Sequence, residues 1–290
     1  MSGRDKMDKY HQKDMIKITE IELNVKNLDV MLDYYLHSLG FTLIHKDITK
    51  AILGTDNLQP IITLVENIKA TKKQMTTGLY HFAILLPNRS DLGLFLRHVI
   101  KNQIPIIGAA DHIVSEAIYL EDPENNGIEL YIDKDESDWR DEFGTLKMGT
   151  QELDYAGVYY SADESKSFEK LPRDSIMGHV HLSVSSLQKA RSFYMDTIGF
   201  NLAMDTVPKA LFVGSANYHH HLGLNTWMGD KLPSPTSTGL KSFVITYPNC
   251  ETIKKTIDQL QKEKYPLKEI EYGYQTKDFD GNTIYLKLQQ

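Results

Sequence analysis

Three side chains that favour metal binding stand at matched points of this 290-residue chain. His81 lies in Gly78-Leu79-Tyr80-His81-Phe82, His179 in Gly178-His179-Val180-His181, and Glu129 in Gly127-Ile128-Glu129-Leu130-Tyr131. Each segment reads as a strand, where successive side chains point to opposite faces. Glu129, flanked by Ile128 and Leu130, therefore points away from the face those two occupy. A carboxylate inside a sheet is costly unless it is paired or bound to a metal. Two neutral imidazoles and one carboxylate on one side of an ion make the facial triad of non-haem iron, which leaves positions open for dioxygen and a bidentate substrate. A single strand histidine is ordinarily a packed core residue, and it is the recurrence of all three at equivalent repeat positions that favours a metal. The run His219-His220-His221 falls at a further matched point, whereas His11, His37, His45 and His98 carry no expected role.

The strands that must position these residues belong to an internal repeat. Ile21 to Val25, followed by Asn27-Leu28, Tyr34-Tyr35 and Leu39-Gly40-Phe41, recurs as Val180 to Val184, Ser186-Leu187, Phe193-Tyr194 and Ile198-Gly199-Phe200. Gly78 to Phe82 with Pro87-Asn88 recurs as Gly239 to Phe243 with Pro248-Asn249. Turns at Asp122-Pro123-Glu124-Asn125-Asn126 and Asp278-Phe279-Asp280-Gly281-Asn282 each precede an alternating strand. The chain thus divides into four βαβββ modules over 16–67, 78–133, 178–228 and 239–288. The expected fold is α+β, with the modules paired into two open eight-stranded β-cups, because an isolated module leaves one sheet face bare. The expected division is a disordered tail over 1–14, an N-terminal domain over 15–133, a linker over 134–173 and a C-terminal domain over 174–290.

Composition narrows the function classes. The apolar fraction of 41% and charged fraction of 24% are those of a globular protein. Lys and Arg are scattered and the net charge is −7, so no concentrated basic face awaits nucleic acid. The lone Cys250 forms no intrachain disulfide and reads as a small packed residue or a turn bystander. No run approaches the roughly 20 apolar residues of a membrane span, and the polar start lacks a signal-peptide core, so the cytoplasm is the expected compartment.

Gly178 to Val184, Gly78 to Ala83 and Asp122 to Leu130 resemble the vicinal oxygen chelate superfamily, which includes glyoxalases, bleomycin-type resistance proteins and extradiol dioxygenases. The four-module layout resembles the dioxygenase branch, and Tyr218 to Asn225 with Asp111 to Ser115 resemble the catechol 2,3-dioxygenases of Gram-positive bacteria. The resemblance implies a glyoxalase-like fold and cleavage of catechol or a related dihydroxylated aromatic by Fe(II) and O2, with Mn(II) as the alternative ion. It also implies His112 and Tyr119, on the middle strands of module two, near the substrate, and His220, on the last strand of module three, as acid or base, with His219 and His221 as alternatives because they alternate in direction with it. Phe82, Trp227 and Tyr131 are aromatic candidates for the ring-facing wall, or for plain core.

One departure decides the pairing. The commonest extradiol enzymes draw all three ligands from modules three and four, yet module four carries Ser242 and Tyr285 at two of those positions and module one carries Glu20. Module two, with His81 and Glu129, supplies what is missing. Module two is therefore expected beside module three, and module one beside module four, a swapped pairing that the family includes. Two rivals remain: a glyoxalase-like isomerase or thiol transferase, which resembles a site with a second carboxylate, and a drug-binding resistance protein without metal ligands. Oligomeric state, including a homo-oligomer, stays open.

Overall fold

The computed structural model describes residues 14–289, so the expected tail over 1–14 lies, apart from Asp14, outside the described residues. Module one is β1 (Lys17–Val25), α1 (Leu28–Asp33), β2 (Thr42–Lys46), β3 (Lys50–Gly54) and β4 (Pro60–Glu66). Module two is β5 (Gly78–Leu85), α2 (Arg89–Lys101), β6 (Gly108–Asp111), β7 (Ser115–Glu121) and β8 (Gly127–Asp133). A short helix α3 (Tyr155–Ser161) follows in the connection between the halves. Module three is β9 (Ile176–Ser183), α4 (Leu187–Arg191), β10 (Asn201–Met204), β11 (Ala210–Gly214) and β12 (Leu222–Asn225). Module four is β13 (Gly239–Tyr247), α5 (Cys250–Lys262), β14 (Leu267–Ile270), β15 (Gly273–Lys277) and β16 (Thr283–Leu288). Cys250 is exposed at the first turn of α5 rather than packed.

The same local chemistry starts every module helix. Asn27, Asn88, Ser186 and Asn249 each follow the first strand in extended conformation and accept from the backbone N–H three residues on. That satisfies a donor that the helix itself cannot, and so turns the chain from strand to helix at the same point four times.

Sixteen strands form two mixed eight-stranded sheets, ordered β14-β15-β16-β13-β1-β4-β3-β2 and β10-β11-β12-β9-β5-β8-β7-β6. Module one thus shares a sheet with module four and module two with module three, the swapped pairing that the ligand positions called for. β1 runs antiparallel to β13, and β5 antiparallel to β9. Ile21, Phe82, Val180 and Phe243, one from the first strand of each module, belong to a single core cluster. Strands such as β9 are buried along nearly their whole length because one face meets that core and the other lines a cavity. No helix among the described residues is long and apolar enough to cross a membrane.

Buried hydrogen bonds tie the sheets to each other across the other module boundaries. Asp122, in the turn between β7 and β8, accepts from the Tyr35 hydroxyl of module one at 3.0 Å and from Glu124 N, Asn126 N and Asn126 Nδ2 at 2.9, 2.9 and 2.8 Å. Asp278 repeats the arrangement, taking the Tyr194 hydroxyl at 2.7 Å and Asn282 Nδ2 at 2.8 Å. The sequence repeat of Asp and Asn in both turns is thus a repeat of one clamp. Replacing Asp122 by alanine orphans four donors in a buried place and should cost about 2–4 kcal/mol. Urea unfolding monitored by circular dichroism would show it, and a loss under about 0.5 kcal/mol would remove the clamp from the stability argument.

Candidate metal centre

Four neighbouring strands present one row of side chains to the cavity. Tyr119 on β7 pairs with Glu129 on β8, Glu129 with Ala83 on β5, and Ala83 with His179 on β9. Laterally paired residues share a face, so Tyr119, Glu129, Ala83 and His179 all point the same way. His81 lies two residues from Ala83 on the same strand and joins that face.

The three candidate ligands meet there. His81 Nε2 lies 3.1 Å and His179 Nε2 3.2 Å from Glu129 Oε2, and the two nitrogens are 3.3 Å apart. Glu129 and His179 are each 2% exposed. Two ligands about 2.1 Å from one ion at right angles stand about 3 Å apart, so these separations suit a shared metal. Protons serve the cluster poorly by comparison. If both Nε2 atoms donate to Glu129, their hydrogens oppose each other across the 3.3 Å contact; if one does not, the buried carboxylate loses a partner. His81, Glu129 and His179 form the one group of three or more potential ligands found among the described residues.

Electrostatics agree with a cation site. Burial pushes the Glu129 carboxyl up, but His179 and His81 beside it outweigh burial and hold it well below the carboxylate range. Burial pushes His81 down against the pull of Glu129. An ionised carboxylate at Glu129 and a neutral imidazole at His81 are the forms that bind a metal. The His179 ring is further fixed by packing against Tyr131 and His220, with centroids 5.0 and 4.2 Å away.

The triad opens into a cavity of about 960 Å³ whose lining includes His112, Tyr119, His220, His181, Tyr80, Phe212 and Trp227. His112 Nδ1 lies 2.8 Å from the Gly149 carbonyl and its Nε2 2.6 Å from the Tyr119 hydroxyl. A carbonyl only accepts, so Nδ1 carries the hydrogen and Tyr119 donates to Nε2. Burial, and then the charge of Glu129, raises the Tyr119 hydroxyl well above its usual range, which keeps it a neutral phenol.

Several placements differ from the sequence reading. His112 sits in the turn between β6 and β7, not on a strand, because Ile113 adopts a positive φ of 72° there. His219, His220 and His221 precede β12 rather than lying on it, following a turn in which Ala216 and Asn217 take positive φ. Of the three, His220 lines the cavity; His219 faces Asp133, and His221 Nδ1 accepts from Ser215 N. Phe82 stacks on Tyr35 in the core, and Tyr131 is fully buried beneath the site, so of the three aromatic wall candidates Trp227 lines the cavity. His181 was missed, although it lies two residues from His179 and so on the same face. Its Nε2 meets Asn225 Nδ2 at 3.0 Å, and its ring lies 5.0 Å from that of His81.

The counterpart positions in the other sheet carry no imidazole. Ser242 donates to Glu22 at 3.0 Å, Lys241 reaches Glu22 at 3.4 Å, and Lys287 reaches Glu20 at 3.6 Å. Repeat symmetry is kept in the backbone while these side chains neutralise one another.

Comparison with known proteins matches the glyoxalase/bleomycin resistance protein/dioxygenase superfamily model over residues 17–130 and 176–284. The catechol-2,3-dioxygenase of Bacillus subtilis (strain 168) is 39% identical over 264 residues, spanning 89% of this chain and 92% of the relative. Glyoxalase I from Zea mays superposes with a TM-score of 0.59 at 17% identity, covering 93% of this chain and 92% of that one. A crystal structure from Bacillus subtilis subsp. subtilis str. 168 superposes with a TM-score of 0.65 at 12% identity, covering 95% and 86%. At such identities the two solved structures speak to the fold. The repeat, the two sheets and these matches together place the chain in the glyoxalase/bleomycin resistance protein/dioxygenase superfamily, to which it belongs.

Proposed function

We propose that the protein is an Fe(II)-dependent extradiol dioxygenase that opens the ring of catechol or a closely related dihydroxylated aromatic with O2. The observation that carries this reading is the convergence of His81, His179 and Glu129 beside a large cavity, in a chain 39% identical to a catechol-2,3-dioxygenase. His81, His179 and Glu129 would hold the ion, and they use one side of it. Iron bound there would supply Lewis acidity toward the diol oxygens and a path for electrons from the diol to dioxygen.

The remaining work falls to the chain's own side chains. His220 Nε2 takes a proton from the diol as it binds and returns one as the ring opens. The neutral Tyr119 phenol gives its one hydrogen to His112 Nε2, so it meets the diol as a hydrogen-bond acceptor. Trp227, Phe212 and Tyr80 offer flat apolar surface to an aromatic ring. The cavity exceeds the size of catechol, so ring substituents can be accommodated. A glyoxalase-like isomerase would call for a second carboxylate beside the ion, whereas the ligand group contains Glu129 alone.

The test is oxygen uptake with catechol by protein purified anaerobically and loaded with Fe(II), alongside a Mn(II)-loaded sample. The expected result is one O2 consumed per ring and a yellow semialdehyde product from cleavage beside the hydroxyls. A colourless dicarboxylic acid, or no uptake across a panel of substituted catechols, would overturn the reading.

A further inference from the structure

A hydrogen-bonded chain leads from the cavity to a carboxylate behind it. His219 Nδ1 and His220 Nδ1 lie 2.9 Å apart, and His219 Nε2 lies 2.8 Å from Asp133 Oδ1. His219 is wholly buried, tilted against Tyr218 at 4.1 Å between centroids and set edge-on to Trp139 at 4.9 Å. Asp133 Oδ1 also accepts from the Tyr218 hydroxyl at 3.2 Å, and the Tyr218 hydroxyl lies 2.8 Å from the Tyr131 hydroxyl. Gly178 makes room for this end of the chain, since a Cβ there would sit 2.1 Å from the Tyr131 hydroxyl.

With His219 neutral, donor and acceptor valence fixes the hydrogens. Asp133 as a carboxylate only accepts, so His219 Nε2 donates to it. A neutral His219 has only its Nδ1 lone pair left, so His220 Nδ1 must be the donor between the two rings. His220 is left with an unprotonated Nε2, the nitrogen not engaged by His219, on a ring that lines the cavity.

We propose that Asp133 and His219 are positioning residues that hold His220 in the Nδ1–H tautomer, so that its Nε2 lone pair is presented to the substrate hydroxyl. The catalytic use of that lone pair rests on the ring-cleavage reading above; the tautomer itself does not. The proton taken at Nε2 comes from the diol and goes back to the product, so the relay keeps no net proton. While Nε2 holds it, the Nδ1–H remains bonded to His219, whose own polarity is set by Asp133, the logic by which a carboxylate orients a catalytic imidazole.

The test combines Asp133→Asn, His220→Phe and the double variant, with a spectroscopic reading that needs no turnover. The amide of the first variant can donate to His219 Nε2, which reverses both rings and puts a hydrogen on His220 Nε2. In the iron-loaded enzyme, kcat should fall about 100-fold or more while KM and metal content stay within about threefold. In the His220→Phe background the same change should cost less than about threefold, because its route to the substrate is already gone. An equal loss in both backgrounds would mean that Asp133 acts only on structure, and would overturn the proposal. Long-range 1H–15N spectra of the full chain, with zinc as a diamagnetic probe, should show His220 as Nδ1–H in the wild type and Nε2–H in Asp133→Asn. Nε2–H in the wild type would overturn the proposal. If the wild type fails to cleave catechol but the tautomer switches as expected, the ring-cleavage reading falls and the positioning role stands.

Discussion

Glu129→Ala should leave a folded protein that no longer holds its metal and no longer consumes oxygen with catechol. Glu129 is the ligand that brings negative charge to the cluster, and both imidazole nitrogens lie within 3.2 Å of its Oε2. Changing a residue that only orients a ligand already lowers affinity by about 10- to 100-fold, so losing this ligand should exceed about 100-fold. In the metal-free protein His179 and His81 hold the same carboxylate ionised, so its removal also costs stability there. The metal-free variant should therefore fold but unfold somewhat more easily than the metal-free wild type. What it should lose is the gain on adding metal, about 2.7 kcal/mol for the wild type at a hundredfold excess over Kd. Thermal unfolding with and without Fe(II) separates the two effects. A variant that still gains stability from iron, or still turns over, would remove Glu129 from the metal site.

Cutting the backbone between the exposed residues Arg173 and Asp174 should abolish metal binding by either piece alone, and co-expression of the pieces should restore it. The cut leaves His81 and Glu129 in one piece and His179 in the other. It also separates β1 from β13 and β5 from β9, so each piece exposes the long edges of two inner strands. Those edges are complementary, and β5 and β9 pair in antiparallel register from Gly78 opposite Ser183 to Leu85 opposite Ile176. Separate pieces should aggregate or remain partly unfolded, with metal affinity down more than about 100-fold, as for the loss of any ligand. Gel filtration and metal titration of each piece and of the co-expressed pair would report this. A piece over 1–173 that binds iron as tightly as the intact chain would mean that modules one and two close a cup of their own.

The module pairing was legible because the repeat has a phase. Once Ser242 and Tyr285 stand where an imidazole and a carboxylate are needed, only module two can complete a site begun by His179. Strand alternation also contained more than was drawn from it. His181 shares a face with His179, and Phe82, next to His81, had to face the core. What the sequence obscured lies in connections. Ala216 and Asn217 adopt positive φ without being glycine, so nothing in the residue types marked the turn that carries His219 to His221 off the strand. The contact between Asp133 and His219 joins the end of β8 to that turn across two modules, and no local pattern encodes it. Asp133, the last residue of module two, stood beside a charged linker with nothing nearby in sequence to mark its remote partner.

Anomalous scattering recorded on either side of the iron absorption edge, from crystals of the full chain grown with Fe(II) under anaerobic conditions, locates the ion directly. One peak per chain is expected, within about 2.3 Å of His81 Nε2, His179 Nε2 and a Glu129 carboxylate oxygen. A peak bound by other side chains, or none beside a structurally intact triad, would contradict the assignment of these three residues to a metal.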